Sequence, residues 1–186
     1  MTKSKVATKT WPAKVRYLVL VLGDQLDESA AVFEAFDPLQ DIVWMAEVSE
    51  ESNHVWSSKQ RIVVFLSAMR HFAQTLGERG FPLLYRRLDD PDNLGTLALE
   101  LGKAIVQLQP ERLCMTAPGD WRVLNSLRTV AKQHQLPLDL CDDTHFFSTV
   151  REFSAHASGR KQLRLEYWYR ELRRKHQILM EGDAPV

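Results

Sequence analysis

The feature that most constrains the fold is an apolar segment near the N-terminus, which reads V-R-Y-L-V-L-V-L-G-D-Q-L over residues 15–26. After its second residue it carries no charge before the glycine, so we expect a strand over 15–22 that is buried on both faces. Gly23, Asp24 and Gln25 follow this strand directly. In open α/β sheets, ligands bind just beyond the carboxyl ends of such strands. The sequence therefore predicts a ligand site at this loop.

Apolar strands and helical patterns alternate along the chain. Strands are predicted at about 15–22, 41–47, 82–86, 112–116 and 138–141. Helices are predicted at 29–36, from 59 to just before Gly80, at 94–108, from 121 to about 135, at 151–157 and at 160–179. Five strands that alternate with helices predict an α/β fold of three layers, a parallel sheet between helices.

Composition and charge divide the chain further. Residues 1–14 are polar, basic and interrupted by Pro12, which predicts a disordered tail. Residues 15–150 are predicted to form the α/β domain, and 151–186 a helical extension. The net charge is zero, but residues 160–176 are strongly basic and the domain itself is acidic. An acidic domain is not expected to grip nucleic acid by itself.

No targeting or membrane segment is recognisable in the sequence. No apolar run approaches the roughly 20 residues of a membrane span, and the N-terminus lacks the apolar core of a secretory signal. Cys114 and Cys141 lie in strand-like segments without metal-ligand spacing. We therefore expect reduced thiols in a cytoplasmic protein that has no membrane contact and no metal site of its own.

The loop after the first strand favours a ligand without phosphates. It holds one glycine, whereas dinucleotide-binding and P-loop motifs need several. Asp24 and Gln25 offer a carboxylate and an amide, which suit a neutral heterocycle with an imide edge or a polyol chain. Asp24 serves equally well as a helix cap, whereas Gln25 is harder to explain in that way.

Carboxylates also follow the second predicted strand. Glu47 lies in Ala46-Glu47-Val48, and Glu50 and Glu51 come next. Carboxylates at such a strand end can hold ligand hydroxyl groups. A solvated acidic loop explains Glu47 and Glu51 equally well, and it is the preferred explanation for Glu50.

Other polar residues carry less information. Arg70 and His71 fall off the apolar stripe of the helix that begins near residue 59, so we expect Arg70 to reach solvent and His71 to be structural rather than a ligand. Trp121 belongs either to the core or to the wall of a pocket. No arrangement of nucleophile and base stands out, so no catalytic residue is assigned and the domain is interpreted as a binding module.

Six ordered segments link the chain to a known family. They are V-L-V-L-G-D-Q-L (19–26), A-E-V with the acidic loop (46–51), K-Q-R-I-V-V-F-L-S-A-M-R-H-F-A (59–73), L-D-D-P-D-N (88–93), P-G-D-W-R-V-L (118–124) and G-R-K-Q-L-R-L-E-Y-W-Y-R-E-L-R-R-K (159–175). From about Arg16 onward the chain resembles the N-terminal domain of the deoxyribodipyrimidine photolyase-related proteins. These are the bacterial photolyases and cryptochromes that carry an iron–sulfur cluster and repair (6-4) photoproducts.

The resemblance implies a Rossmann-like antenna domain over 15–150, with strand order 3-2-1-4-5. In this family the domain holds 6,7-dimethyl-8-ribityllumazine, which absorbs light and passes the excitation to a flavin. Its imide edge and polyol tail agree with the amide and carboxylates described above. Carried onto this sequence, the cofactor-binding residues are Gly23, Asp24, Gln25, Leu26, Ala46, Glu47 and Glu51.

The chain departs from the family pattern in two motifs. Ser57-Ser58 stands where relatives usually have His-His, and this change puts the identity of the pocket's occupant in question. Gly119-Asp120-Trp121-Arg122 stands where relatives usually have G-E-W-R, which is a milder change.

The resemblance also implies a further domain after Val186. In the family this helical domain binds FAD, a 4Fe-4S cluster and damaged DNA, so the chain is not expected to repair DNA alone. Residues 151–186 are then the connection toward it. The alternative is a non-catalytic scaffold or regulatory fragment that acts through the basic helix at 160–176. A nucleotide-binding domain of the universal-stress type is disfavoured because a glycine-rich phosphate loop is lacking.

Overall fold

The computed structural model describes residues 11–182 and 184–186, which form two compact units. We call residues 11–141 the sheet unit and the described residues from Asp142 onward the C-terminal unit. Most of the tail predicted to be disordered, residues 1–10, lies outside the described residues. Trp11, the first described residue, packs against the core of the sheet unit.

The sheet unit is built on five parallel strands. They are β1 (Tyr17–Leu20), β2 (Ile42–Ala46), β3 (Leu83–Arg86), β4 (Arg112–Thr116) and β5 (Leu138–Cys141). Their order across the sheet is β3-β2-β1-β4-β5, and every neighbouring pair is parallel. Helices cover the sheet, so the predicted α/β class, the three layers and the strand order are confirmed.

Four α-helices and one short 3-10 helix connect the strands. They are the 3-10 helix Ala31–Phe33, α1 (Ser49–His54), α2 (Lys59–Glu78), α3 (Leu97–Leu108) and α4 (Trp121–Gln133). The helix predicted at 29–36 is therefore reduced to one 3-10 turn. The third helix begins three residues later than predicted, because the Thr96 side chain caps it by accepting from Leu99 N at 3.2 Å.

Helix α1 occupies a segment for which the sequence predicted a polar loop. None of its residues is buried, so it has no apolar stripe by which periodicity could reveal it. Its first turn carries Glu50 and Glu51, and acidic side chains at that end are favoured by the helix dipole.

The two faces of the sheet carry separate apolar layers. Leu18, Leu20, Ile42 and Trp44 pack with residues of α3 and α4 on one face. The alternate strand residues Val19, Val43 and Met45 pack with α2 and the 3-10 helix on the other face. This alternation explains why β1 and β2 are continuously apolar, since neither face meets water.

The C-terminal unit is mostly helical. It contains α5 (Val150–Ala157), α6 (Leu165–His176) and a short hairpin, β6 (Met180–Glu181) with β7 (Ala184–Pro185), which the sequence did not predict. Helix α6 is shorter than the predicted 160–179. Among the described residues, no helix is long and apolar enough to cross a membrane.

Inside this unit, one buried histidine joins α5 to α6. The His156 ring lies 4.7 Å from the Trp168 ring, centroid to centroid, and its Nδ1 is 2.8 Å from Glu171 Oε2. Basic side chains of α6 also pair within the unit, for instance Arg170 with Glu166 at 2.6 Å.

We predict that Leu113→Ala lowers the free energy of unfolding by about 2–5 kcal/mol, because it leaves a cavity in the packed layer. Leu113 is fully buried in β4. Urea denaturation of the chain measures the effect. The matched control is Leu39→Ala at a side chain that is 83% exposed, where little change is expected. Equal losses at both positions would contradict the assigned core.

Candidate functional site

A cleft of about 260 Å³ opens at the carboxyl ends of β1 and β2. Residues of the β1 loop, the β2 end, α1, the α1–α2 connection, α2, the start of α3, the loop after β4 and the start of α4 surround it. They are Leu22, Gly23, Asp24, Ala46, Glu47, Val48, Glu51, Ser52, Ser57, Arg61, Ile62, Phe65, Leu66, Met69, Leu97, Pro118, Asp120 and Val123. The cleft lies at the sheet edge where ligands of open α/β folds bind.

Five of the seven residues predicted to bind a cofactor line this cleft. They are Gly23, Asp24, Ala46, Glu47 and Glu51. The sheet therefore brings the ends of its first two strands together as the sequence predicted.

Gln25 and Leu26 do not contribute to the lining. The Gln25 amide Nε2 donates to the carbonyl oxygens of Thr116 and Ala117, at 3.3 and 3.2 Å, and so ties the β1 loop to the end of β4. Leu26 packs against the apolar layer beneath α2. Both residues help to shape the β1 loop from outside the cleft.

Gly23 allows α2 to approach the β1 loop closely. A Cβ atom added there would lie 2.8 Å from Met69 Sδ and closer still to the Phe65 ring. The glycine thus leaves room for the ends of the Phe65 and Met69 side chains, and the Phe65 ring forms part of the cleft wall.

Glu47 is a buried carboxylate whose two oxygens both accept hydrogen bonds from the protein. Arg70 donates two hydrogen bonds to it, from Nε to Oε1 at 2.7 Å and from Nη2 to Oε2 at 2.8 Å. The Tyr85 hydroxyl donates to Oε1 at 2.5 Å, and the Leu88 N–H donates to Oε2 at 2.8 Å. Glu47 therefore joins β2, α2 and the β3 region. Its main role is structural.

The electrostatics of this group favour the ionised carboxylate. Burial, the largest single influence, opposes the charge on Glu47, but the hydrogen bonds from Arg70, Tyr85 and Leu88 outweigh it, so its pKa lies below the usual value. Burial and the adjacent carboxylate raise the pKa of Tyr85. The tyrosine thus stays protonated and donates its hydrogen bond.

A second ion cluster lies at the mouth of the cleft. Arg122 Nη2 is 2.9 Å from Glu51 Oε1 and 3.4 Å from Asp120 Oδ2, and its Nη1 is 3.8 Å from Glu50 Oε1. The Asp120 side chain also caps α4, since its Oδ1 accepts from Arg122 N at 2.7 Å. Glu51 thus lies on the cleft wall with one oxygen held by an arginine.

Some sequence predictions for polar and aromatic residues were wrong. Arg70 does not simply face solvent, because it pairs with Glu47. Trp121 is 69% exposed and neither belongs to the core nor lines the cleft. The apolar stripe of α2 is not buried along its whole length, since Ile62, Phe65 and Leu66 line the cleft and are only partly covered.

The two cysteines are free and half-buried. Their sulfur atoms lie 3.6 Å apart on neighbouring strands, and burial raises the pKa of Cys114 to about 12, which keeps that thiol protonated. Within the described residues, no group of three or more His, Cys, Asp or Glu side chains is placed to hold a metal ion. The cleft therefore offers hydrogen-bond acceptors and an apolar wall, which suit binding.

We predict that Glu47→Gln lowers the free energy of unfolding by about 2–4 kcal/mol at pH 7, because the ion pair between the buried Glu47 carboxylate and Arg70 is lost. Urea denaturation measures the loss. Glu34→Gln, at an exposed glutamate, is the matched control and should change stability little. Stability unchanged in Glu47→Gln would contradict the structural role assigned to this carboxylate.

The same carboxylate predicts a pH dependence of stability. Its pKa is lowered by folding, so its contribution is present above the unfolded-state value of about 4.3 and is lost as the pH falls through the folded-state value. The stability difference between the unmodified chain and Glu47→Gln should therefore shrink on acidification below about pH 4. Denaturation at pH 7, 5 and 3.5 measures it, and a difference that grows toward low pH would refute the assignment.

Comparison with known proteins identifies the family of this chain. Residues 19–186 match the family of deoxyribodipyrimidine photo-lyase-related proteins. A curated relative, the (6-4) photolyase of Agrobacterium fabrum (strain C58), is 43% identical over 169 residues, which are 91% of this chain and 33% of the relative. The chain thus spans about a third of that relative's length. On the strength of the family match, the chain belongs to the deoxyribodipyrimidine photo-lyase-related proteins.

Proposed function

We propose that this chain is the light-harvesting part of a photolyase-related DNA-repair flavoprotein, and that its cleft binds 6,7-dimethyl-8-ribityllumazine. The observation that carries the proposal is the pairing, in one cleft, of an apolar wall with carboxylates that can accept from hydroxyl groups. Family membership makes a chromophore the preferred occupant of such a cleft.

The apolar part of the cleft suits a flat heterocycle. Ile62, Phe65, Leu66 and Met69 line it from α2, and Leu22 lines it from the β1 loop. Its volume of about 260 Å³ is slightly below the roughly 300–1,000 Å³ of typical ligand pockets, so it favours a small ring system.

The polar part suits a polyol chain. Asp24 and Glu51 offer carboxylate oxygens, and Ser52 and Ser57 offer hydroxyl groups. Carboxylates accept hydrogen bonds from hydroxyls but repel phosphate groups. A ribityl tail therefore matches this lining better than a nucleotide does.

The serine pair that departs from the family pattern has two separate roles. Ser58 caps α2, since its Oγ accepts from Arg61 N at 3.3 Å. Ser57 lines the cleft. A small hydroxyl-bearing side chain at 57 leaves room for a ligand and provides a further polar contact.

When bound, the lumazine would absorb light and pass the excitation to a flavin. In the proposed full-length protein, FAD, a 4Fe-4S cluster and the DNA lesion are bound by a further domain, toward which residues 151–186 lead. The relative's name supports (6-4) photoproducts as the lesion. We place the protein in the cytoplasm, a choice supported by its two free thiols.

The proposal predicts that the chain binds the lumazine and that Asp24→Asn and Glu51→Gln each weaken binding about tenfold, the loss of one charge-assisted hydrogen bond. Titration of the chain into the lumazine, followed by fluorescence anisotropy, measures the dissociation constants. The matched control is Asp92→Asn, at an exposed aspartate outside the cleft, which should bind like the unmodified chain.

Two outcomes would contradict the antenna role. One is that the unmodified, folded chain leaves the lumazine anisotropy unchanged. The other is that all three variants bind equally well. If the chain forms a stable protein complex by light scattering without binding the chromophore, the scaffold alternative is favoured instead.

A further inference from the structure

We infer that Arg122 is a positioning residue of the cleft, which acts on the ligand through Glu51. The inference rests on the proposed function, because it assigns Glu51 as an acceptor for ligand hydroxyl groups. It gives a role to the arginine of the Gly119-Asp120-Trp121-Arg122 motif, whose side chain does not itself line the cleft.

Arg122 connects two elements, α4 and α1, that both contribute residues to the cleft lining. It lies in the first turn of α4, and its guanidinium reaches Glu51 of α1 at 2.9 Å and Glu50 at 3.8 Å. Asp120 steadies the arginine from its own side, with Oδ2 at 3.4 Å from Nη2. One guanidinium thus lies within 4 Å of three carboxylates.

Besides this contact, helix α1 is attached at its start, where it follows the buried residue Val48. None of its residues is buried. The hydrogen bonds that join it to the α3 side run to the carbonyl oxygen of Gly95, from Glu50 N at 3.0 Å and from Ser49 Oγ at 3.3 Å. Both lie in its first two residues, whereas Arg122 contacts the Glu51 side chain itself.

The pairing leaves one oxygen of Glu51 for a ligand. Arg122 contacts Oε1, and Oε2 accepts no hydrogen bond from any residue that the structure describes. Asp120 differs, because its Oδ1 accepts from the N–H groups of Arg122 and Val123 at 2.7 and 3.4 Å, while its Oδ2 faces the guanidinium. Of these two carboxylates, Glu51 is therefore the one with capacity to spare for a hydroxyl group.

A double-mutant cycle tests whether Arg122 acts through Glu51. The lumazine dissociation constant is measured for Arg122→Gln, Glu51→Gln and the double variant. We expect Arg122→Gln to weaken binding at least fivefold, and the double variant to bind within twofold of Glu51→Gln alone. Arg122→Lys, which keeps the charge but not the two-pronged geometry, should restore part of the loss.

The matched control is Arg128→Gln, an exposed arginine on the same helix that lies over Trp121. It should leave lumazine binding unchanged. Independent, multiplying losses in the double variant would overturn the inference, and so would full binding by Arg122→Gln.

A second measurement needs no ligand. Backbone ¹⁵N order parameters of residues 49–54 should fall in Arg122→Gln and Glu51→Gln to the same extent, and no further in the double variant. If the unmodified chain fails to bind the lumazine, the proposed function falls, while this measurement still decides whether Arg122 holds Glu51. Unchanged order parameters in Arg122→Gln would overturn the positioning role.

Discussion

The ion pair between Glu47 and Arg70 is the interaction on which the edge of the sheet at the cleft depends. Glu47 is 1% exposed and directly follows β2. Arg70 from α2, and Tyr85 and Leu88 from the β3 region, all donate to it. A buried charge is tolerated only with such partners, and removing one of them leaves a costly unpaired group. The ion pair therefore fixes the position of α2 against the carboxyl end of β2, where the cleft opens.

Because Glu47 is hydrogen-bonded within the fold, its role differs from that of the other acidic residues at the cleft. With Glu47 used within the fold, we propose that Asp24 and Glu51, which both line the cleft, recognise the polar part of a ligand. Gly23 contributes by its small size, since it admits Phe65 and Met69 of α2 to the edge of the β1 loop. The result is a cleft with an apolar wall on the helix side and acceptors around it, which suits a ring with a hydroxylated tail.

The sequence predicted the sheet well because β1 and β2, which are covered on both faces, form uninterrupted apolar runs. The bounds of β4 and β5 agree with the prediction, and all five strands lie where expected. The prediction failed where the local sequence pattern carries no signal. Helix α1 has no buried stripe, and the pairing of Arg70 with Glu47 joins residues 23 positions apart in the chain.

The residues of the candidate site also divide into those that the sequence could predict and those that it could not. Gly23, Asp24 and Glu51 could be predicted because they follow strand ends, where parallel topology places ligands. The cleft wall on α2 could not be separated from the core, because Phe65 and Met69 share one helical stripe although only Met69 is buried. Periodicity shows which face is apolar but does not show where the sheet beneath it ends.

The most direct test of the account is to map the lumazine onto the chain by NMR chemical-shift perturbation. We expect the largest shifts at the amides of Gly23, Asp24, Glu51 and Phe65, with helix α6 unaffected. Shifts confined to the C-terminal unit, or none at saturating lumazine, would contradict the claim that this cleft holds the chromophore.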